Sequence, residues 1–320
     1  MKAIVYTKYG PPEVLQLKEV AKPIPRDDEV LIKVKAVSVN RSDWEGLRGN
    51  PLYARIGGLL RPRHHILGSD IAGRVEMAGR NISRFRPGDE VFGDILPRLG
   101  GFAEYVCAPE NMLALKPASM TFEEAAAIPQ SAVIALQGIR DKGQLQPGQK
   151  VLINGAGGGA GAVAVQLAKL YGAEVTGVDN TGKLDFMRSL GADQVIDYTR
   201  EDFTENGRQY DLILDIVAHR SVFAYKRALR SNGRYYLAGG SVATMLQILL
   251  LGPWISMIAN KKIRILAVKP SLEDMVYVTE LYEAGKVTSV IDKTYPLSEV
   301  PEAIGHVGDG HAQGKVVITV

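Results

Sequence analysis

A run of small residues is the first feature of the sequence whose residue types and spacing could do chemistry. Five of the seven residues from Gly155 to Gly161 are glycine, and they follow the apolar run VLIN at 151–154. Glycine lets the backbone approach a bulky anion, and a helix that begins there offers unpaired N–H groups and the positive end of its dipole. The spacing allows two registers, one starting at Gly155 and one at Ala156. The run therefore predicts a site for a phosphate or pyrophosphate group.

The sequence on both sides of this run narrows the identity of the anion. Apolar residues recur at helical spacing from Ala160 onward, and a further apolar run ends in Asp179. An acid about 20 residues beyond such a glycine turn accepts hydrogen bonds from the ribose of a bound dinucleotide. The context predicts a dinucleotide site. A glycine loop that only permits close packing is the simpler alternative.

The elements that must position these residues fall into two groups. The first part of the chain is rich in strand patterns separated by Pro, Gly and Asp: KAIVYT, EVLQLKEV, DEVLIKVKAVSV, DIAGRVEMAG and GGFAEYVCA. The middle alternates apolar runs with helices that we expect near Ala160, Lys183 and Ser221; the runs are VLIN, AEVTGV, DQVID, YDLILDIV, RYYLAGG and IRILAV. This alternation predicts a parallel sheet with crossover helices. Helices over 272–285 and 299–307 and a final strand, KVVITV, are expected to end the chain.

Composition limits the possible partners and compartment. The 320 residues are enough for two domains, and 46% hydrophobic with 23% charged residues is typical of a globular protein. A formal net charge of +3, with Lys and Arg spread along the chain, is too small to imply a nucleic-acid or acidic-membrane partner. A single cysteine, Cys107, excludes an intrachain disulfide and fits a reducing compartment. The N-terminal residues lack the apolar core of a signal peptide, so we expect a cytoplasmic protein.

Residues 242–259, VATMLQILLLGPWISMIA, are apolar for about the length of a membrane span. Polar residues interrupt the run, and Gly252-Pro253 breaks it near the middle. We therefore expect no membrane span here. A buried, kinked helix, a pocket wall or a subunit contact is the preferred interpretation.

Several motifs, in this order, resemble the medium-chain dehydrogenase/reductases and, among them, the zinc-free quinone oxidoreductases. Besides the glycine turn they are VNRSDWEGLRG (39–49), LGSDIAGRVEMAGRNISRFRPGDEVFG (67–93), GGFAEYV (100–106), SLGADQVIDY (189–198) and GHAQGKVVITV (310–320). The resemblance implies an α/β fold with two domains. A Rossmann domain with a doubly wound parallel sheet would cover 122–267, inserted into a β-rich GroES-like catalytic domain formed by 1–121 and 268–320.

The resemblance also implies the residues that would contact a nicotinamide cofactor. It selects the register that starts at Ala156, and the expected contacts are Ala156, Gly158, Gly159, Ala160, Gly161, Asp179, Lys183, Tyr198, Ala218, Gly239, Gly240, Ser241 and Lys315. Two of them disagree about the cofactor. Asp179 favours NADH, whereas Lys183 matches a lysine that pairs with the 2′-phosphate in NADPH-using relatives. The expected cofactor is NADPH, with NADH possible. An aspartate turned into solvent, a surface Lys183 and a surface Tyr198 are the alternatives.

The sequence predicts no metal site. Asn40 stands where zinc-dependent relatives carry a cysteine ligand, and Ser69-Asp70 stands where they carry a histidine–acid pair. Asparagine and serine are poor Zn²⁺ ligands. The adjacent pair His64-His65 would point apart in extended chain, so we interpret it as surface loop residues.

Without a metal, the expected reaction is hydride transfer to quinones or α,β-unsaturated carbonyl compounds. By resemblance, Asn40 could donate a hydrogen bond to the acceptor carbonyl and Asp43 could hold a water or orient its neighbours. The alternative is a capping box that starts at Ser42 and closes at Glu45. Tyr53 is a candidate proton donor, or a packing residue with its hydroxyl in water.

Two further interpretations remain open at this stage. An enoyl-thioester reductase would need Tyr53 as a working acid, and a nucleotide-binding protein with little turnover would need no acceptor. The expected partner is a small-molecule quinone or enone, not a nucleic acid. The resemblance also implies a homodimer formed by edge strands of the nucleotide domain, with the 242–259 segment as a contributor.

Overall fold

The computed structural model describes residues 1–56 and 58–320. Its strands lie in three sheets. In chain order they are β1 (Lys2–Val5), β2 (Gln16–Glu19), β3 (Glu29–Val39), β4 (Asp70–Ala78), β5 (Glu90–Asp94), β6 (Tyr105–Pro109), β7 (Ala114–Leu115), β8 (Lys150–Asn154), β9 (Glu174–Asp179), β10 (Gln194–Asp197), β11 (Tyr210–Asp215), β12 (Leu229–Leu237), β13 (Lys262–Ile265), β14 (Ile291–Pro296) and β15 (Lys315–Thr319).

The helices alternate with strands mainly in the middle of the chain. They are α1 (Arg41–Arg48), α2 (Phe122–Ala126), α3 (Pro129–Leu136), α4 (Gly159–Leu170), α5 (Leu184–Ser189), α6 (Val222–Ala228), α7 (Val242–Ile258), α8 (Leu272–Glu283) and α9 (Val300–Gly308). The helices expected near Ala160, Lys183 and Ser221 are α4, α5 and α6. Those expected over 272–285 and 299–307 are α8 and α9.

Contacts divide the chain into two compact units. The first unit consists of Met1–Gln130, Pro270–Glu283 and Ser289–Val320, and the second of Ser131–Lys269 and Ala284–Thr288. The functional domain boundaries expected from the sequence, at 121/122 and 267/268, stay a prediction.

Six parallel strands form the sheet of the second unit. Their order is β10-β9-β8-β11-β12-β13, which is 3-2-1-4-5-6 when the strands are numbered from β8. Consecutive strands of such a sheet are joined by crossovers, and the order reverses between β8 and β11. Ligands of open α/β sheets bind outside the carboxyl ends of the strands at this reversal. The predicted parallel, doubly wound sheet is confirmed.

A mixed sheet forms the framework of the first unit. Its order is β14-β15-β3-β4-β5-β7, and β6 also pairs with β3. The last strand, β15, lies antiparallel to β3, with Val316 opposite Val39. Side chains such as Ile32, Ile71 and Ile318 are fully or almost fully buried in the core of this unit. Strand β15 thus joins the sheet that β3 and β4 form much earlier in the chain.

Helix α7 differs from the buried helix expected over 242–259. Only the row Thr244, Ile248, Gly252 and Ile255 is buried, because these residues recur three or four apart and face one side. Large apolar residues on the other faces are exposed: Val242, Leu246, Leu249, Leu250, Leu251, Trp254, Met257 and Ile258. Of the three interpretations, a buried helix is therefore wrong for most of α7, whereas a pocket wall or a subunit contact stays a prediction. Among the described residues, no helix is both long and apolar enough to cross a bilayer.

Candidate functional site

The glycine run forms the turn between β8 and α4. Gly155 has a φ of +85°, a left-handed conformation that glycine adopts without strain. The N–H groups of Gly155 and Ala156 both donate to the carbonyl of Val178, at 2.9 and 3.1 Å. Gly158 is then the N-cap of α4, whose first helical residue is Gly159. The first turn of a helix leaves its N–H groups without intrahelical acceptors, so the turn offers donors suited to a phosphate.

The packing around the turn distinguishes two kinds of glycine. A Cβ at Gly161 would lie 2.1 Å from the carbonyl oxygen of Gly155 and 2.7 Å from the Cα of Ala156. A Cβ at Gly158 would meet nothing closer than 3.6 Å. The fold itself therefore requires glycine at 161, whereas the open space at 158 leaves room for a ligand. Ala160 lies between them in the first helical turn. This pattern favours the register that starts at Ala156.

Asp179 lies against the glycine turn. Its Oδ2 accepts a hydrogen bond from the N–H of Gly157 at 3.0 Å, and its Oδ1 accepts one from the N–H of Asn180 at 2.9 Å. Lys183 Nζ lies 3.6 Å from Asp179 Oδ1, and both side chains are almost fully buried. The alternatives of an aspartate turned into solvent and of a surface lysine are both wrong. The two residues form a buried ion pair.

The other residues of the second unit that we predicted as cofactor contacts lie beyond the carboxyl ends of β10, β11 and β12. Tyr198 is 45% exposed, as its surface alternative expects. Ala218 and Gly240 form a bridge, and the N–H of Ala218 donates to the carbonyl of Gly239 at 2.9 Å. Ser241 is the N-cap of α7. Because carboxyl ends of parallel strands share one edge, these residues and the glycine turn lie at the same edge of the sheet.

Sequence reasoning missed a buried polar group at the reversal of strand order. Asn154 ends β8 and Asp215 ends β11, and Asn154 Nδ2 donates to Asp215 Oδ1 at 2.8 Å. The hydroxyl of Tyr235 donates to Asp215 Oδ2 at 3.0 Å. Burial raises the pKa of Asp215. The available signal was a polar residue directly after the apolar run of each of these two strands.

A second cluster lies in the first unit, where the start of β15 meets the end of β3. Lys315 Nζ donates to Asn40 Oδ1 at 2.6 Å and lies 3.5 Å from Asp70 Oδ2. Asn40 Nδ2 donates to Asp70 Oδ2 at 3.0 Å, and all three residues are buried. Burial lowers the pKa of Lys315, and the neighbouring Asp70 carboxylate opposes that shift. The amide of Asn40 is thus held from both sides. The contact of Lys315 with a cofactor stays a prediction.

Asp43 fixes the start of α1. Its Oδ2 accepts from the N–H of Asn40 at 2.8 Å and its Oδ1 from the N–H of Gly68 at 2.9 Å. Burial raises the pKa of Asp43 to about 6. The capping box expected between Ser42 and Glu45 is wrong, because the helix begins two residues earlier, with Asn40 as N-cap. With both oxygens bound to backbone, Asp43 is placed to orient its neighbours.

Tyr53 lies in the short 3-10 turn Leu52–Arg55 that follows α1. Its hydroxyl donates to Glu45 Oε2 at 3.2 Å, so it is not left to water as the packing alternative expects. Burial, and then the Glu45 carboxylate, raise the pKa of Tyr53 to about 12. The structure brings Tyr53 together with Glu45, and Asn40, Asp43 and Lys315 together in the cluster.

Asp94 adds a further carboxyl group to this cluster that the sequence did not reveal. It lies opposite Asp70 in the ladder of β4 and β5, and its Oδ1 accepts from the N–H of Leu96 at 2.9 Å. Burial, and then the charge of Asp70, raise the pKa of Asp94 to about 7. Among the described residues, Asp70 Oδ1 has no hydrogen-bond partner. The cluster therefore combines three carboxyl groups with one ammonium group.

The donors of this cluster do not suit zinc. By the resemblance, Asn40 stands where zinc-dependent relatives carry a cysteine ligand and Ser69-Asp70 where they carry a histidine–acid pair. The amide of Asn40 and the hydroxyl of Ser69 lack the thiolate and imidazole that zinc prefers. The Lys315 ammonium already donates to the amide oxygen of Asn40. Over residues 1–56 and 58–320 no group of three or more His, Cys, Asp or Glu could hold a metal ion. His64 and His65 are both exposed.

The raised pKa of Asp94 predicts a pH-dependent stability. A carboxyl group whose pKa rises on folding is neutral in both states at low pH. It opposes folding increasingly as the pH passes from its ordinary value, near 4, to about 7. Asp94→Asn should remove this loss of folding stability at higher pH. The free energy of unfolding of the variant should exceed that of the wild type by about 1–3 kcal/mol at pH 8 and by little at pH 4. The reason is that a pKa shift of one unit corresponds to about 1.4 kcal/mol before solvent screening.

Urea unfolding at several pH values measures this difference. Trp44 belongs to the first unit and the exposed Trp254 to the second, so a Trp254→Phe background makes the fluorescence report on the unit that holds Asp94. The exposed Asp28, changed to Asn, is the matched control for loss of one negative charge. A difference between Asp94→Asn and wild type that stays constant from pH 4 to pH 8 would contradict the assignment.

Comparisons with known proteins agree with this architecture. Residues 26–118 match the alcohol dehydrogenase GroES-like domain, and residues 190–318 match a domain family described as zinc-binding dehydrogenase. A quinone-oxidoreductase homolog, chloroplastic, of Spinacia oleracea is 33% identical, with 99% of this chain and 98% of the relative covered. An NADPH-dependent alkenal/one oxidoreductase, chloroplastic, of Arabidopsis thaliana is 30% identical, with 99% of this chain and 79% of the relative covered.

A solved structure gives the same result for the fold. The quinone oxidoreductase from Coxiella burnetii superimposes with a TM-score of 0.90 at 29% identity, covering 100% of this chain and 99% of that chain. The strand order, the glycine turn and the relatives over almost the whole length agree. The chain belongs to the quinone-oxidoreductase-like branch of the medium-chain dehydrogenase/reductase superfamily.

Proposed function

We propose that the protein is an NAD(P)H-dependent reductase that transfers hydride to quinones or other α,β-unsaturated carbonyl acceptors without zinc. The observation that carries the zinc-free part is the hydrogen bond of 2.6 Å from Lys315 Nζ to Asn40 Oδ1, because by the resemblance Asn40 stands in place of a cysteine zinc ligand. The glycine turn with its open position at Gly158 fits the pyrophosphate of a nicotinamide cofactor. The names of the Spinacia and Arabidopsis relatives support both acceptor classes.

The residues of the cluster act on the acceptor through hydrogen bonding and charge. A bound nicotinamide supplies the hydride. Asn40 Nδ2 carries two N–H groups, and Asp70 accepts only one of them, at 3.0 Å. The second can donate to the acceptor oxygen, where negative charge develops. Lys315 keeps the amide oxygen turned away from the acceptor by bonding it. Asp43 holds the backbone from which Asn40 projects.

Two other functions make different demands on the same residues. An enoyl-thioester reductase needs Tyr53 as an acid, and a pKa of about 12 together with its bond to Glu45 weighs against that role. A nucleotide-binding protein with little turnover needs no acceptor. Both alternatives are outcomes of the activity test.

We expect chelator-washed protein to oxidise NADPH or NADH with an aromatic ortho-quinone or an α,β-unsaturated ketone. Asn40→Ala should lower kcat/KM for the acceptor by about 10–100-fold, the usual effect of losing one oxyanion donor or charge-assisted hydrogen bond. Ser42→Ala, next to it on α1 but exposed, is the control and should change the rate little. Stopped-flow or steady-state absorbance at the reduced nicotinamide band measures the rates of both variants.

The contrary outcomes are distinct. Tight nucleotide binding without turnover of any acceptor would favour the non-catalytic alternative. Turnover of an enoyl thioester that Tyr53→Phe abolishes would favour the thioester reductase. An unchanged rate in Asn40→Ala would remove that residue from the mechanism.

We propose NADPH as the preferred cofactor, with NADH as a second one. Each oxygen of Asp179 already accepts a backbone hydrogen bond, and the Lys183 ammonium 3.6 Å away offsets its charge. The carboxylate is therefore a weaker partner for two ribose hydroxyls and a weaker repellent of a 2′-phosphate than an unpaired acid. The name of the NADPH-dependent Arabidopsis relative supports this choice.

Lys183→Met should test the cofactor. We expect its KM for NADPH to rise by about 10–100-fold, because a charge-assisted hydrogen bond contributes roughly 1.5–3 kcal/mol, while its KM for NADH changes much less. Lys169→Met, at the far end of α4, is the matched loss of one lysine from the same unit. Equal effects on both nucleotides would mean that Lys183 acts only through Asp179.

We propose that the protein is a homodimer. Strand β13 is an edge of the six-stranded sheet, and α7 packs closely on it, since a Cβ at Gly252 would lie 2.6 Å from the carbonyl oxygen of Ile263. The exposed apolar face of α7 thus lies beside an unpaired strand edge, and a second copy of the chain could cover both.

The single free Cys107 also fits the cytoplasm as the proposed location, which cell fractionation would test.

Analytical ultracentrifugation should show a dimer that Leu250→Glu converts to a monomer, because a buried unpaired charge is strongly unfavourable at an interface. Ile24→Glu, an equally exposed apolar residue in the first unit, should leave the mass unchanged. A wild-type monomer at micromolar concentration would contradict the proposal.

A further inference from the structure

The segment that follows α1 exposes four large apolar side chains. Leu52, Ile56, Leu59 and Leu60 have exposed fractions of 73%, 87%, 68% and 88%. Single exposed apolar residues are normal, but a group of four on neighbouring turns marks an interaction surface. No step of the proposed reaction uses these side chains. With the exposed Arg61 and Arg63, they form what we call the apolar–basic patch.

The charged side chains of the segment that carries this patch have one sign. The sequence from Gly46 to Ser69 contains four arginines and no aspartate or glutamate, so it carries a formal charge of +4. The nearest preceding acid, Glu45, is engaged by Arg41 and by the hydroxyl of Tyr53. The net charge of +3 for the whole chain does not reveal this positive segment. Its charge arises because the segment has no aspartate or glutamate, not because arginines are clustered in it.

Hydrogen bonds hold the backbone that carries the patch. Arg55 Nε donates to the carbonyl of Gly49 at 2.8 Å, and its guanidinium lies 4.8 Å from the ring centre of Tyr9. The Tyr9 hydroxyl donates to the carbonyl of Gly58 at 2.6 Å. Arg55 Nη1 also donates to the carbonyl of Leu59 at 3.4 Å, which links the turn Leu52–Arg55 to that residue. These bonds restrain described residues on either side of the exposed side chains, which lowers the ordering needed when they bind.

We propose that the apolar–basic patch docks on the surface of an anionic phospholipid bilayer. The leucine and isoleucine side chains would enter the boundary between headgroups and acyl chains, and Arg61 and Arg63 would pair with lipid phosphates. Apolar tips flanked by arginines match this boundary, which is apolar below and negative above. A protein partner of ordinary affinity would need a broader, shaped surface than four side chains on two turns provide.

Co-sedimentation of the full chain with vesicles tests the proposal. We expect binding to vesicles of phosphatidylcholine mixed with phosphatidylglycerol, weaker binding at high salt, and little binding to phosphatidylcholine alone. Leu59→Ser with Leu60→Ser should lower the partition coefficient at least about ten-fold. Arg61→Gln with Arg63→Gln should lower it and flatten its salt dependence. The matched control is Ile24→Ser with Leu115→Ser, which likewise removes two exposed apolar side chains of the first unit. It should bind like wild type.

Four results would overturn the proposal: no binding to anionic vesicles, equal binding to both vesicle types, unchanged binding in the leucine double variant, or equal loss in the control. If Leu59→Ser with Leu60→Ser instead raised the KM for the acceptor or changed the oligomeric mass with vesicle binding intact, the patch would serve the protein's own substrate or a second copy. If that variant failed to fold, the arginine variant would decide the matter alone. Vesicle binding needs no turnover, so failure of the proposed reductase activity is distinguishable from failure of this proposal.

Discussion

The antiparallel pairing of β15 with β3 is the constraint on which the first unit depends. It places Val316 opposite Val39, so the residues just before and after this pair, Lys315 and Asn40, meet side by side. The same pairing buries Val316 and Ile318 in the core of the first unit. A strand from the end of the chain thus completes both the core and the polar cluster.

Burying the charged groups of the cluster costs free energy of folding, and this cost helps to identify their role. Removing an ammonium or a carboxylate from water costs several kcal/mol, which ion pairing and hydrogen bonds offset only in part. Lys315 and Asp70 are almost completely buried, and Asp70 still has one oxygen without a partner among the described residues. An apolar core of the same volume would be at least as stable. A buried, fixed positive charge that orients an amide donor is better explained by chemistry at Asn40 than by stability.

What the sequence could predict depended on how local the contacts are. The glycine turn, its strand and its helix follow one another directly, and their pattern predicted the dinucleotide-type sheet but left two registers open. Asp94 was invisible because its proximity to Asp70 depends on the register of β4 and β5. The N-cap was misplaced because it depends on where β3 ends, at Val39, and not on residue preference alone. Helix α7 is apolar on every side, so its pattern could not show which face packs.

The pair of Asp179 and Lys183 shows why a backbone motif is more reliable than a side-chain rule. A glycine turn of this kind offers a phosphate N–H groups and a helix dipole, which exist wherever the backbone takes this shape. The rule that an acid at the end of the second strand selects NADH assumes a carboxylate with free oxygens and an unopposed charge. In this chain Gly157 and Asn180 each bond one oxygen, and Lys183 offsets the charge. The acid therefore acts first as a support for the turn, and the charge that a 2′-phosphate would meet is that of the pair.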